Sequence, residues 1–270
     1  MNMISKTTIA DLHLHTHYSA DVPWGMASFE EYCQIGEQYN IHVGFLDHFE
    51  FPEFQSNPKY ALFGEKGIIK YLEAFEVVHA EYPNSSLGLE VDYYPQFEAE
   101  LGEFLDTYRG HFTRFIGSVH VIDGQVITLR EGCKQVLQKF RFPKVREMYF
   151  QLLEAAIESE LFDGIAHLDM LYRFSNELFD PGSLLEDDPE VLRLGKLCKT
   201  QGLDLELNLS GLDQGAKRTY PALNIVKTLY DEGSTFYVGS DSHIPRHFSR
   251  RMKMICQLNQ FLLDLAQKSD

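Results

Sequence analysis

The chain has 270 residues, of which 44% are hydrophobic and 24% are charged, and its formal net charge is −16. This composition is typical of a globular protein, and the length suits one barrel domain or two smaller domains. The acidic excess opposes binding to nucleic-acid backbones and to anionic membranes, and no Lys/Arg cluster is dense enough to override it, so we expect neither partner.

The N-terminal residues and the cysteines both bear on the compartment. Residues 1–6 lack the apolar core of a signal peptide, and no apolar run approaches the roughly eighteen residues of a membrane span. The four cysteines, Cys33, Cys133, Cys198 and Cys256, have no Cys-x-x-Cys spacing, which favours buried free thiols in a reducing compartment. We therefore expect a cytoplasmic protein.

Short apolar or alternating segments recur along the chain, and longer segments with helical periodicity lie between them. The predicted strands are Thr8–Leu14, His42–Leu46, Ser86–Val91, Phe115–Val119, Gly164–His167, Leu203–Leu209 and Phe236–Gly239. The predicted helices lie around Ser28–Tyr39, Gly67–Glu81, Ala99–Arg109, Lys144–Glu160, Pro189–Gln201 and Tyr220–Glu232. A Ser-x-x-Glu capping box supports the start of the first helix, and the basic segment from Arg246 is expected to open a C-terminal amphipathic helix.

Polar side chains follow almost every predicted strand. These strand ends carry His13 and His15, Asp47-His48, Glu90 and Asp92, His120, His167 and Asp169, and Asp241 with His243. The C-terminal strand ends gather around one axis in an α/β barrel, whereas they spread along a line in an open doubly wound sheet. The recurrence favours a closed seven-stranded α/β barrel over the open sheet. Because no Pro/Gly-rich linker divides the chain, we expect residues 1–270 to form one domain.

Imidazoles and carboxylates at these positions indicate a metal site. His13 and His15 are two residues apart in a strand, so their side chains point to the same face and can bind one ion. Zn²⁺, Mn²⁺ and Fe²⁺ all accept such ligands, so ligand type alone does not fix the metal. Nine candidate ligands exceed the four to five or so that one zinc ion takes, which predicts two or three ions used for hydrolysis.

In these strand-end residues the sequence resembles the polymerase and histidinol phosphatase (PHP) superfamily of metal-dependent phosphoesterases. The motifs that carry the resemblance are Asp11-Leu12-His13-Leu14-His15-Thr16 followed by Ser19 and Asp21, Leu46-Asp47-His48, Gly88-Leu89-Glu90-Val91-Asp92, Gly117-Ser118-Val119-His120, Ala166-His167-Leu168-Asp169 and Gly239-Ser240-Asp241-Ser242-His243. They cover residues 8 to about 245 in the family's order. Within the superfamily, the sequence most resembles the stand-alone histidinol-phosphate phosphatases. The residues that carry this likeness are Ile116–His120, Asn208–Leu212, Lys217 and Tyr220-Pro221.

The resemblance implies a distorted seven-stranded barrel, (β/α)7 and TIM-like, with a trinuclear centre. Its ligands would be His13, His15, Glu90 and Asp241 for one ion, Glu90 again with His120 and His167 for the second, and Asp21, His48 and His243 for the third. Many relatives have a histidine where this chain has Asp21, and a carboxylate there changes the local charge and metal preference. Glu90, Asp241 and His243 are also the expected catalytic residues.

The implied reaction is hydrolysis of a small phosphorylated substrate, most simply histidinol phosphate, in histidine biosynthesis. A phosphate dianion calls for cations beyond the metals. Arg173 follows the fifth strand, and Lys217 and Arg218 follow the sixth, so we expect phosphate contacts there. The sequence does not identify the general acid. His17 and Asp47 are candidates, but a structural role is favoured for each: His17 as a loop histidine and Asp47 as an aspartate that orients His48.

The segment Pro52–Lys66 contains several aromatic residues after the second strand and is interpreted either as a substrate lid or as a hydrophobic plug. Three alternative functions would each leave a different pattern in the sequence. An amidohydrolase would carry a bridging lysine at the fourth strand end, where this chain has His120. A nuclease or proofreading module would carry a basic track. A non-catalytic regulatory module would have lost ligands. The sequence favours a phosphomonoesterase over all three.

Overall fold

The structure is a computed structural model that describes residues 9–51 and 65–269. Its main sheet contains seven strands in the order β1-β2-β3-β4-β7-β8-β9. Their bounds are Ala10–Leu14 (β1), His42–Phe49 (β2), Ser85–Asp92 (β3), Arg114–Ser118 (β4), Gly164–Ile165 (β7), Asp204–Asn208 (β8) and Phe236–Gly239 (β9). A parallel bridge between Leu14 and Ser242 brings the segment after β9 beside β1, so the sheet is nearly closed. The predicted seven-stranded α/β barrel is confirmed.

Helices alternate with these strands, as the hydrophobic periodicity predicts. They are Phe29–Tyr39 (α1), Glu65–Glu81 (α2), Glu98–Tyr108 (α3), Arg130–Glu158 (α4), Pro189–Gln201 (α5), Leu223–Asp231 (α6) and Pro245–Ser269 (α7). The capping box at Ser28 forms in both directions with Glu31, and Gly202 closes α5 with a left-handed φ of 73°. The predicted C-terminal helix is confirmed as α7.

Three features differ from the sequence predictions. Helix α4 begins at Arg130 rather than near Lys144, because two helices meet at Arg141, whose φ of 59° and ψ of 158° are not helical. A two-stranded hairpin, Val121–Ile122 (β5) with Gln125–Val126 (β6), was not predicted, although its Asp123-Gly124 turn is a known hairpin signal. Strand β7 ends before His167, because the φ of that residue is 24° and leaves the extended region.

The chain divides into two compact units by its contacts. One contains Met1–Val91, Phe97–Ile116 and Tyr237–Asp270, and the other contains Asp92–Gln96 and Gly117–Phe236. We call them the first and second unit. The expectation of one domain stays a prediction.

Each unit has its own buried apolar core. In the first unit, Tyr32 and Phe45 are fully buried and their rings meet edge to face, with centroids 6.0 Å apart. In the second unit, Tyr172 and Tyr220 form a buried cluster with Met170. These cores hold the strands whose ends carry the polar residues of the site.

None of the described helices is long and apolar enough to span a membrane. The predicted cytoplasmic location stays a prediction.

The cysteines give a first testable consequence. Burial raises the pKa of Cys33 to about 12 and that of Cys133 to about 11, and it also raises the pKa of Cys198. Because the thiolate is the reactive form, these three should resist iodoacetamide at pH 8 in the folded protein, whereas the half-buried Cys256 reacts first. Peptide mass spectrometry before and after urea unfolding measures this, and equal rates at Cys33 and Cys256 would contradict it.

Candidate metal centre

The first unit brings seven of the predicted ligands together. Strand β1 carries His13 and His15 follows its last residue, and both side chains are fully buried. Strand β2 carries His48, which pairs in register with Glu90 on β3. The remaining three follow strands: Asp21 lies in the segment between β1 and α1, and Asp241 and His243 follow β9. Residues from across 230 positions of sequence therefore converge at the carboxyl ends of neighbouring strands.

The ligand atoms of this group point at one another. His13 Nε2 lies 3.0 Å from His15 Nε2 and 3.2 Å from Glu90 Oε2. Glu90 Oε2 is also 3.0 Å from His48 Nδ1, and His15 Nε2 is 3.2 Å from Asp241 Oδ1. The same carboxylate oxygen thus lies within 3.5 Å of three imidazoles, those of His13, His15 and His48. The predicted bridging role of Glu90 stays a prediction.

Asp21 lies at the more exposed side of the group. Its Oδ2 atom is 2.9 Å from His243 Nε2 and 3.7 Å from His48 Nε2. The side chains of Asp21 and His243 are 50% and 31% exposed, whereas those of His13 and Glu90 are fully buried. The substrate can therefore reach the group from the Asp21 side.

The local electrostatics suit cation binding. Burial, together with the nearby His243 and His48 rings, lowers the pKa of His15 to about 3, so this imidazole is neutral at physiological pH. Burial alone would raise the pKa of Asp21 and of Asp241, but contacts with histidine rings hold both below the usual value. The group thus offers a neutral imidazole at His15 and ionised carboxylates at Asp21 and Asp241. Nearby carboxylates outweigh burial at His48 and His243 and raise the pKa of both.

Two sets of donor atoms in this unit are close enough to share an ion. His15, His48 and His243 form one set, and His13, His15 and Asp241 form the other, with all ligand atoms of a set within 4.8 Å of one another. Mixed imidazole and carboxylate donors in a buried position are what zinc, iron and manganese bind in proteins. The residues present therefore fit a divalent metal.

The second unit contains the other two predicted ligands. His120 and His167 approach each other with their Nε2 atoms 3.4 Å apart. The backbone N–H of His120 donates to Asp92, and the backbone N–H of His167 donates to Glu206, each at 2.8 Å. Glu206 was not predicted as a site residue, although it is an acidic residue between two buried leucines, Leu205 and Leu207, which is a usable signal. It fixes the backbone at His167, where the φ of 24° is unusual for a residue with a side chain.

The three predicted phosphate-binding cations differ in their surroundings. Among the residues that the structure describes, the Arg173 guanidinium has only a ring contact with Phe174, 5.7 Å to the centroid, and the exposed Lys217 ammonium has no partner. Arg218 is buried, and its guanidinium donates to Asp169 Oδ2 and to the carbonyl oxygens of Leu185 and Thr219. Arg173 and Lys217 are therefore available to a ligand, whereas Arg218 is committed to internal bonds.

The loops that carry Arg173 and Lys217 lie against each other in the second unit. The Gly215 N–H donates to the Arg173 carbonyl oxygen at 3.0 Å. A Cβ atom at Gly215 would lie 2.4 Å from the Ser175 carbonyl oxygen, so only glycine permits this approach. Lys217 itself has a left-handed φ of 55°. A hydrogen bond and a close backbone approach thus hold the Gly215 segment against the Arg173 segment.

Of the two general-acid candidates, Asp47 is fully buried and surrounded by donors. Its carboxylate accepts from the Thr16 N–H and hydroxyl, from the Ser19 hydroxyl and from the Tyr71 hydroxyl. These donors hold the Asp47 carboxylate in place, and its predicted role in orienting His48 stays a prediction. His17 packs against Trp24, with ring centroids 4.3 Å apart. A proton-transfer role for either residue stays a prediction.

The sequence and the fold of this chain are both similar to those of known proteins. A probable histidinol-phosphatase of Deinococcus radiodurans is 27% identical over 243 residues, which is 88% of each chain. A candidate histidinol phosphatase of Listeria monocytogenes has a crystal structure that matches with a TM-score of 0.78 at 21% identity, covering 91% of this chain and 99% of that one. The Lactococcus lactis histidinol phosphate phosphatase, solved with zinc, L-histidinol and phosphate, matches with a TM-score of 0.64 at 15% identity, covering 93% and 94%. The profile of the PHP domain matches residues 11–210, and the chain therefore belongs to the PHP family.

Proposed function

We propose that this protein is a metal-dependent phosphomonoesterase that hydrolyses L-histidinol phosphate to L-histidinol and phosphate. The observation that carries the proposal is the buried imidazole and carboxylate group at the strand ends of a chain that resembles histidinol-phosphatases over most of its length. The relatives' names supply the substrate, and the donor group supplies a means of hydrolysis. A place in histidine biosynthesis follows from the same substrate.

The proposed metal ligands are the nine residues predicted from the sequence. They are His13, His15, Asp21, His48, Glu90, Asp241 and His243 in the first unit and His120 and His167 in the second. We expect two or three divalent ions, and the zinc in the Lactococcus lactis structure supports zinc as one of the candidates beside iron and manganese. When bound, such ions lower the pKa of an attacking water and offset charge on phosphate oxygens.

The chain's own residues prepare this site. The neutral His15 ring has one nitrogen lone pair to offer a cation, and Glu90 presents one oxygen to both His13 and His48. Asp21 and His243 border the more exposed side, where a phosphate monoester can enter. Glu90, Asp241 and His243 are accordingly the proposed catalytic residues of the set.

The test of the proposal is product formation. Protein treated with a chelator and then reloaded with Zn²⁺, Mn²⁺ or Fe²⁺ should release L-histidinol and inorganic phosphate from histidinol phosphate in equal amounts. The chelated protein should release neither. Turnover that is unaffected by the chelator, or no turnover with any of the three metals, would refute the proposal.

We also expect Arg173 and Lys217 to bind the substrate phosphate. A charge-assisted hydrogen bond contributes about 1.5–3 kcal/mol, so Arg173→Met or Lys217→Met should each lower kcat/KM by about ten- to two-hundredfold. If the whole loss appears as a higher KM, the contact is already present in the ground state. If it appears as a lower kcat, the contact tightens only in the transition state.

The control for this prediction is Arg193→Met. Arg193 is a surface residue of the same unit, and it pairs with Glu154 and Glu190. It should leave kcat/KM unchanged at equal metal content. Should both Arg173→Met and Lys217→Met keep kcat/KM within threefold of the parent protein, the phosphate is bound elsewhere.

A further inference from the structure

Ser19 lies at a buried junction behind the metal-binding histidines. The side chain has no exposure, and its Oγ atom has three polar neighbours. Oγ is 2.8 Å from Asp47 Oδ1, 3.0 Å from the backbone nitrogen of His48 and 3.1 Å from His15 Nδ1. The serine therefore connects a strand-end aspartate to two of the proposed metal ligands.

The direction of these bonds follows from counting protons. A hydroxyl has one hydrogen to donate and two lone pairs to accept with. The His48 backbone N–H can only donate, so it occupies one lone pair of Ser19. The remaining lone pair and the hydroxyl hydrogen are left for Asp47 and His15.

The surroundings of Asp47 decide between these two. Its carboxylate also receives the Thr16 N–H, the Thr16 hydroxyl at 2.8 Å and the Tyr71 hydroxyl at 2.9 Å. Thr16 Oγ1 accepts from the Tyr18 N–H, so its own hydrogen is directed to the carboxylate. A carboxylate with several convergent donors is an acceptor, and the Ser19 hydrogen therefore goes to Asp47.

Only one arrangement then satisfies His15. With its hydrogen on Asp47 and one lone pair on the His48 N–H, Ser19 can only accept from His15 Nδ1. We infer that Ser19 is a positioning residue that holds His15 as the Nδ1–H tautomer, with the Nε2 lone pair directed at the metal-binding group. That Nε2 atom lies 3.0 Å from His13 Nε2 and 3.2 Å from Asp241 Oδ1, where a ligand lone pair is needed.

This inference rests on the proposed function, because it gives the His15 lone pair a metal to bind. Residues that orient a ligand in this way contribute about ten- to a hundredfold to metal affinity. Loss of the Ser19 hydroxyl frees His15 to rotate and to place its proton on either nitrogen. The defect should appear in metal affinity, and excess metal should restore kcat.

The first experiment needs no variant. In metal-free protein labelled with ¹⁵N-histidine at pH 8, the two-bond ¹H–¹⁵N correlation of His15 distinguishes a protonated Nδ1 from a protonated Nε2. The signal is assigned by its loss in His15→Gln. We expect protonated Nδ1, and protonated Nε2 would overturn the inference.

The second experiment compares Ser19→Ala with Ser234→Ala. Ser234 is also buried, and its hydroxyl has no hydrogen-bond partner among the described residues, so it controls for loss of a buried hydroxyl. Zinc affinity, measured by competition with a chromophoric chelator, should fall about ten- to a hundredfold in Ser19→Ala only.

The outcomes separate the two claims. Parent protein that binds no zinc, manganese or iron would refute the metal site and the inference with it. Parent protein that binds metal, together with Ser19→Ala that binds it within threefold as tightly, would overturn the role of Ser19 alone. If Ser19→Ala does not fold, the tautomer of the parent protein still decides.

Discussion

Glu90→Gln should lower kcat/KM for histidinol phosphate by at least about a hundredfold. Glu90 is 1% exposed, and its Oε2 atom is shared between His13 at 3.2 Å and His48 at 3.0 Å. The amide removes a negative charge and gives these rings a neutral partner. Loss of a residue that merely orients a ligand already costs about ten- to a hundredfold, so loss of a shared ligand should cost more.

The measurement pairs steady-state kinetics with elemental analysis. Glu90→Gln should contain less metal than the parent protein, because the variant loses a negatively charged ligand that lies beside two other proposed ligands, His13 and His48. Glu103→Gln, an exposed site on α3 with the same change of charge, should behave like the parent. Retention of kcat/KM within a few-fold by Glu90→Gln would contradict the shared-ligand role.

Asp188→Ala should lower the free energy of unfolding by about 3–5 kcal/mol, the usual cost of removing one partner of a buried ion pair. The carboxylate is 1% exposed and accepts two bonds from the Arg146 guanidinium, one from the Tyr172 hydroxyl and one from the Glu190 N–H at the start of α5. All four donor bonds lose their acceptor in the variant.

Urea denaturation checks this prediction. Asp187→Ala is the matched control, because Asp187 is the exposed neighbour and its side chain makes no hydrogen bond or ion pair within the described part of the chain. The control should change the free energy of unfolding by less than about 0.5 kcal/mol. A loss below about 1 kcal/mol in Asp188→Ala would show that the network contributes little.

Much of the sheet could be predicted from sequence because the strands are short and their burial is regular. His48 and Glu90 illustrate the same point for the site: each lies within two residues of the end of a predicted strand, and parallel pairing puts them in register. Their proximity needs only the strand assignment and the shared polarity of parallel strands. The same reasoning covers the predicted ligands of the first unit that lie at or directly after strands, but not Asp21, which lies in the segment between β1 and α1.

Side-chain partners could not be predicted in the same way. Arg218 and Arg173 look alike in sequence, yet Arg218 bonds to Asp169, which is 49 positions away. Periodicity contains no information on such pairing. Similarly, the kink between the two helical segments of α4 depends on the backbone conformation of one residue, Arg141. Sequence periodicity does not predict such a conformation, and the segment that begins at Arg130 was not predicted as a helix.

We propose that the residues of the candidate metal centre hydrolyse histidinol phosphate in preference to other phosphate esters. The most direct test compares kcat/KM for histidinol phosphate, AMP and a short oligonucleotide on the same metal-loaded sample. Histidinol phosphate should be preferred by at least about tenfold, a margin of about 1.4 kcal/mol in transition-state binding. AMP or the oligonucleotide turned over tenfold better than histidinol phosphate would contradict it.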